Sequence, residues 1–353
     1  MLINGRSVRT VSLLVAAVLL GTACGSSSKG SSTGGGGSHQ STVSLHLGYL
    51  PNVTHAPAVL ALQNGSLAAD LGSGVKLSTN PYNSGTEETT ALLAGALDAA
   101  FVGPNPAINA YQKSGGTLLR IVAGTASGGA FLVVKPSIKS AADLKGKKLA
   151  TPSLGNTQDV ALRSWLRSKG LSTSTTGGGD VSILPQDNST TVTAFQTGAI
   201  DGAWVPEPYA TKLEQAGGKV LVDEATLWPK GQFVTTNLVV TTKFLAAHPD
   251  IVSNLLKALS GAIDLIHSNP TQAEQLVSAG IGKATGKALS VSIVASSFEH
   301  ITFTLDPIAS SLRQDAKAAQ ALGFIKSTDL SHIYDLTLLN KMLSAQGKAQ
   351  ITP

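Results

Sequence analysis

The chain has 353 residues, 42% of them hydrophobic and only 13% charged, and carries a formal net charge of +5. That charge is too weak for a nucleic-acid surface, and no groove of Arg/Lys interleaved with aromatics accompanies it. The single cysteine excludes an intramolecular disulfide and a multi-cysteine metal site.

The first 23 residues read as an export signal. Arg6 and Arg9 supply a basic start, Val11–Leu20 an apolar stretch, and Gly21-Thr22-Ala23 a small-residue cleavage site. The apolar stretch is shorter than the roughly 20 residues a bilayer span needs. Cys24 follows directly, in a setting that resembles a bacterial lipobox, with Gly21 where an aliphatic residue is usual. Lipidation at Cys24 would hold the chain on the outer face of the membrane. Residues 24–42 are Gly/Ser-rich, including Gly34–Gly37, and read as a flexible linker. The remaining body, about 310 residues, exceeds one comfortable hydrophobic core, so two lobes are expected.

Val43–Tyr49 alternates apolar and polar residues as a first strand, followed by a turn at Pro51–His55 and a helix over Ala56–Gln63 that stops before Gly65. Strands are expected at Gly74–Asn80, Leu118–Gly124 and Ala130–Val134, the last two joined by a Ser/Gly turn at 127–129. Ser140–Lys148 reads as a short helix and turn before a strand at Leu149–Thr151. A helix over 156–168 follows, with Asn156 or Thr157 as its N-cap. Further strands are expected at Val181–Leu184, Lys219–Val222 and Phe233–Val240. Beyond Thr242 the pattern is mostly helical, punctuated by Pro249, Pro270 and Pro307.

One sentence is written twice, 103 residues apart. Gly95-Ala96-Leu97-Asp98-Ala99-Ala100-Phe101-Val102 runs into Gly103-Pro104-Asn105; Gly198-Ala199-Ile200-Asp201-Gly202-Ala203-Trp204-Val205 runs into Pro206-Glu207-Pro208-Tyr209. Upstream, Ser84-Gly85-Thr86 aligns with Asp187-Asn188-Ser189. Each copy predicts a capped helix, a left-handed glycine stop at Gly95 or Gly198, a buried strand, and a Pro-containing turn opening another helix at 104–114 or 206–216. Asp98 and Asp201 are expected to bond the turns beside those glycines rather than stand buried and unpaired. If Phe131–Pro136 and Phe233–Val240 cross between lobes, lobe 1 comprises 43–134 and 240–353, lobe 2 comprises 135–239, and the two crossings form the hinge of a clamshell.

Leu47-Gly48-Tyr49-Leu50-Pro51-Asn52-Val53-Thr54-His55-Ala56 resembles the opening strand and loop of the nitrate, taurine and aliphatic-sulfonate group of ABC-importer substrate-binding proteins. Gly95-Ala96-Leu97-Asp98 with Gly103-Pro104, Ala142-Asp143-Leu144-Lys145-Gly146-Lys147-Lys148, Gly155-Asn156-Thr157 and Glu207-Pro208-Tyr209 fit the same group, and the resemblance covers residues 43 to about 340. It implies a type II periplasmic-binding fold, α/β, with two mixed sheets flanked by helices. It further implies delivery of a small anionic or zwitterionic ligand to a membrane permease driven by an ATPase.

A sulfonate or nitrate can be held by neutral donors, namely backbone N–H groups at helix starts and short polar side chains. The candidate ligand residues are therefore Asn52, Thr54 and His55; Ser84, Gly85 and Thr86; Gly103, Pro104 and Asn105; and Asn156, Thr157 and Gln158. Trp204 and Tyr209 are candidates to wall the pocket, and Glu207 to meet a ligand amine or hydroxyl. No cofactor is expected, no metal at His/Cys/Asp/Glu spacing, and no nucleic acid; a monomer is expected. Two other function classes stay open. An enzyme on this fold would need an acid/base pair, for which His55 with Glu207 is the sole offer. The same importer class with a flat uncharged ligand would need stacking by Tyr49, Phe101, Trp204 or Tyr209.

Overall fold

The computed structural model describes residues 42–353, so the expected export signal, Cys24 and the linker up to residue 41 lie outside the described residues. The strands form two mixed sheets. The first holds β1 (Val43–Tyr49), β2 (Val75–Pro81), β3 (Ala99–Val102) and β4 (Leu119–Gly128). The second holds β5 (Ala130–Val134), β6 (Lys148–Thr151), β7 (Ser182–Pro185), β8 (Gly202–Pro206) and β9 (Lys219–Asp223). The chain then returns to the first sheet with β10 (Val234–Thr241) and β11 (Ile301–Phe303). The orders are β11-β4-β10-β3-β1-β2 and β7-β6-β8-β5-β9.

The two sheets share one wiring. β1 runs parallel to β2 and β3, with β10 antiparallel to β3; β6 runs parallel to β7 and β8, with β5 antiparallel to β8. The sequence repeat falls on the equivalent strands β3 and β8. Its aspartates do the same work in each: Asp98 Oδ2 accepts from His46 N at 2.9 Å, and Asp201 Oδ2 accepts from Lys148 N at 3.0 Å. Each thereby ties the start of its strand to the neighbouring parallel strand. The repeat glycines end helices Gly85–Leu93 and Asn188–Gln196 with φ of +73° at Gly95 and +76° at Gly198, the left-handed stop the sequence predicts.

Strand periodicity sorts side chains onto opposite faces. Ala99 and Phe101 join one core, with helices Ala56–Gln63, Pro249–Ser268 and Pro270–Thr285, while Ala100 and Val102 join another, with helices Pro104–Lys113 and Ala309–Ala321. In the second sheet Leu132 and Trp204 pack beneath helix Thr157–Ser168, and Phe131, Ala203 and Val205 pack beneath helices Asn188–Gln196 and Tyr209–Gln215.

The crossings fall elsewhere than expected. β5 pairs with β8 and β9, and β10 pairs with β3 and β4, so β5 belongs to the second sheet and β10 to the first. The chain crosses at Gly128-Gly129 and returns through the short turns Glu224–Leu227 and Pro229–Gly231. Both strands are buried on both faces, and burial on both faces carries no mark of which sheet a strand joins. Gly128 and Gly129 adopt φ of +85° and +71°, and a Cβ at Gly129 would lie 2.5 Å from Ile301 Cγ1, so this crossing requires glycine on both backbone and steric grounds. β11, three residues long inside a helical stretch, is too short for periodicity to reveal.

Candidate functional site

A cavity of about 30 Å³ lies between the carboxyl ends of the strands of the two sheets, where open α/β sheets collect ligands. Leu50, Asn52, Thr54 and His55 follow β1; Ser84 and Gly85 follow β2; Gly103 and Pro106 follow β3. Pro152, Asn156, Thr157 and Gln158 follow β6, Asn188 follows β7, Pro206 ends β8, and Thr235 comes from β10. Four helices begin here: Gly85–Leu93, Pro104–Lys113, Thr157–Ser168 and Asn188–Gln196. Helix starts present unsatisfied N–H groups and a partial positive charge. The Pro104 helix is the exception in donor count. Proline at its first and third positions leaves Asn105 as the sole N–H of that turn.

No lining side chain carries a full charge. His55 is the one titratable group, and burial pulls its pKa down to about 3, so it is neutral. Its Nε2 donates to the Phe101 carbonyl at 2.9 Å, which leaves Nδ1 of the neutral ring as an acceptor beside Asn52 and Thr54. Thr54 Oγ1 donates to Asn52 Oδ1 at 2.7 Å. His55 thus clamps the loop after β1 onto the end of β3 and holds Asn52 and Thr54 at the cavity wall.

On the second-sheet wall Asn156 caps its helix, Oδ1 accepting from Asp159 N at 2.9 Å, while its Nδ2 donates to Gln158 Oε1 at 3.1 Å. Asp159, fully buried, holds that wall in place. Its carboxylate accepts from Thr151 Oγ1, Gly155 N and Arg163 Nε, each at 2.9 Å. The walls touch across the cleft. Thr86 and Ser153 hydroxyls lie 2.9 Å apart, and a Cβ placed on Gly103 would stand 2.7 Å from Thr157 Oγ1. The two walls therefore meet beside the cavity rather than standing apart.

Of the sequence candidates, Asn52, Thr54, His55, Ser84, Gly85, Gly103, Asn156, Thr157 and Gln158 meet at this cavity. Thr86 stands at the rim, joined to Ser153. Pro104 is not among the lining residues, and Asn105 turns away: its Nδ2 reaches the Asp315 carbonyl at 3.4 Å. Trp204 is core, fully buried, its Nε1 donating to Glu224 Oε2 at 2.7 Å. Tyr209 lies outside the cavity, on the wall of a wider groove.

Glu207 is fully buried and satisfied by protein partners. Thr211 N and Oγ1 donate to it at 3.1 and 3.0 Å, Ser297 Oγ at 3.3 Å, and His300 Nδ1 lies 2.7 Å from Oε1. It joins the second sheet to the segment before β11, and His55 and Glu207 form no acid/base pair. The Glu207 hydrogen bond raises the His300 pKa above 6.5, opposed by burial and helped by the charges of Glu207, Glu214 and Asp223. A raised folded pKa means the pair's stability is fully present below about pH 6.5 and is lost as pH rises through the higher folded value. Urea unfolding between pH 6 and 8.5 should show this loss, and His300→Gln should flatten it; parallel curves for the two proteins would contradict the assignment.

Asn188 is the residue that pattern reading missed. Its Oδ1 is buried without a hydrogen-bond partner while the residue lines the cavity. The signal was available, since the repeat aligns Asn188 with Gly85. Leu50, Pro106, Pro152, Pro206 and Thr235 were also missed, and only tertiary packing brings them here. Among the described residues, no group of three or more His, Cys, Asp or Glu could hold a metal ion, and no helix is long and apolar enough to cross a membrane.

Known proteins share this architecture. The structure of the alkanesulfonate-binding protein SsuA from Xanthomonas axonopodis pv. citri bound to MOPS matches with a TM-score of 0.68 at 19% identity, covering 82% of this chain and 96% of that one. The fold is that of the periplasmic binding proteins. The taurine-binding periplasmic protein of Escherichia coli K12 is 28% identical over 214 residues, 61% of this chain and 64% of its own length. Curated relatives from Brucella abortus, Brucella suis and Brucella melitensis are 27% identical over 201 residues, and the match spans 60% of their length. Residues 38–281 match the NMT1-like family, and over that span, which contains both walls of the cavity, the chain belongs to it.

Proposed function

We propose that this chain is the extracytoplasmic binding protein of an ABC importer, that it captures a small anion of the sulfonate, taurine or nitrate type between its two sheets, and that it hands the ligand to a membrane permease. One observation carries the reading: four helix starts converge on a cavity lined by neutral polar groups. Such a site suits an anion with delocalised charge and several acceptor oxygens, because donors are plentiful and a carboxylate wall is absent. The walls touch at Thr86 with Ser153 and approach closely at Gly103 with Thr157, so a ligand enters as the two sheets separate and is held as they close. Cys24, if lipidated, tethers this body to the membrane through the Gly/Ser linker. The enzyme reading has no acid/base pair here, and the flat-ring reading finds Tyr49, Phe101 and Trp204 outside the cavity wall.

A ligand that binds only the folded chain stabilises it by RT ln(1 + [L]/Kd), about 2.7 kcal/mol at a hundredfold excess over Kd. Thermal unfolding with ethanesulfonate, taurine, nitrate and a neutral pyrimidine should raise the midpoint by several degrees with at least one anion and not with the pyrimidine. Stabilisation by the pyrimidine alone would reverse the ligand class.

A further inference from the structure

The small cavity does not end at its own walls. Leu50, Asn52 and Asn188 also line a groove of about 820 Å³ that opens beside it, so a ligand seated in the cavity by its head must send any tail this way. One side of the groove comes from the second sheet's helices, with Val192, Tyr209 and Lys212. The other comes from Tyr82 after β2 and from Lys287, Leu289 and Ile293 beyond helix Pro270–Thr285.

Lys212 and Lys287 face this space from opposite sides, and neither forms a salt bridge among the described residues. Lys212 is half-buried, its Nζ 5.0 Å from the centre of the Tyr209 ring. Burial first, and the like charge of Lys287 second, push its pKa down. Among the described residues, Asp187 is the only acidic residue on the groove wall. A plain alkyl tail would fit beside Leu289 and Ile293, yet it would strip water from the Lys212 ammonium and return nothing. An anionic group between the two lysines would relieve their repulsion and pair with the half-buried Lys212 ammonium.

We infer that the groove is the second half of the ligand site and selects a tail that ends in its own negative charge, so that the natural ligand is a two-ended anion such as a sulfo-carboxylate. The inference rests on the cavity being the headgroup site.

The test compares 3-sulfopropanoate with propane-1-sulfonate, matched in headgroup and length, by isothermal titration at low ionic strength. The dianion should bind the wild-type chain at least about tenfold more tightly, and the advantage should shrink with added salt as exposed charges are screened. The double variant Lys212→Gln/Lys287→Gln should bring the ratio of the two affinities to within about threefold. Equal affinities in the wild-type chain, or an undiminished ratio in the double variant, would overturn the groove assignment while leaving the cavity assignment standing. Binding of neither compound would overturn the headgroup site and this inference with it.

Discussion

Asp159→Asn is expected to lower the unfolding free energy by about 3–5 kcal/mol, the cost of breaking a buried ion pair by removing one charge. Arg163 is 2% exposed, its Nε lies 2.9 Å from Asp159 Oδ2, its Nη1 donates to the Ser174 carbonyl at 2.8 Å, and its Nη2 has no partner. Neutralising Asp159 strands that guanidinium beneath the second sheet. The same carboxylate accepts from Gly155 N and Thr151 Oγ1, so the segment bearing Pro152, Asn156, Thr157 and Gln158 loses its anchor as well. Ligand affinity should therefore fall together with stability. Urea unfolding reads the first effect, and a loss under 1 kcal/mol would show that the pair is not the anchor its geometry implies.

Gly103→Val is expected to do the opposite kind of damage, costing affinity and sparing the fold. Gly103 has φ −66° and ψ 159°, an extended backbone that valine adopts without strain. Its missing side chain is what lets the walls meet: a Cβ would stand 2.7 Å from Thr157 Oγ1 on the opposite wall and 3.6 Å from the Thr235 carbonyl. A branched side chain there keeps the cleft from closing on a ligand. Affinity should drop by about a hundredfold, or 2.7 kcal/mol, with the urea midpoint nearly unchanged. Wild-type affinity in this variant would mean that closure at Gly103 is not part of binding.

These two positions show what a sequence can and cannot disclose. The repeat was readable where local chemistry wrote it, in a left-handed glycine stop followed by an apolar strand; its aspartates, expected to bond the turns beside those glycines, bond the neighbouring strand 52 and 53 residues away. Both copies carry the glycine stop, at Gly95 and at Gly198. The helix starts at Ser84, Gly103 and Asn156 were equally legible, since capping is local. Trp204 was misplaced because a strand end points to the ligand as a chain position, while strand parity decides the face. Trp204 joins the core beneath helix Thr157–Ser168, and Val205 joins the opposite face. Glu207 was misplaced because two of its partners, Ser297 and His300, lie 90 and 93 residues away in sequence, and only Thr211 is near. Asn105 was misread for a related reason: the turn was right, but helix Ala309–Ala321 draws its side chain outward.

The central claim is that a small anion occupies the neutral-donor cavity and that the sheets close over it. Isothermal titration of the chain with ethanesulfonate, taurine and nitrate tests this most directly, with Gly103→Val titrated alongside. The expected result is one saturable site per chain for at least one of these anions, weakened about a hundredfold in the variant. Absence of heat with all three anions, on protein that unfolds cooperatively in urea, would contradict it.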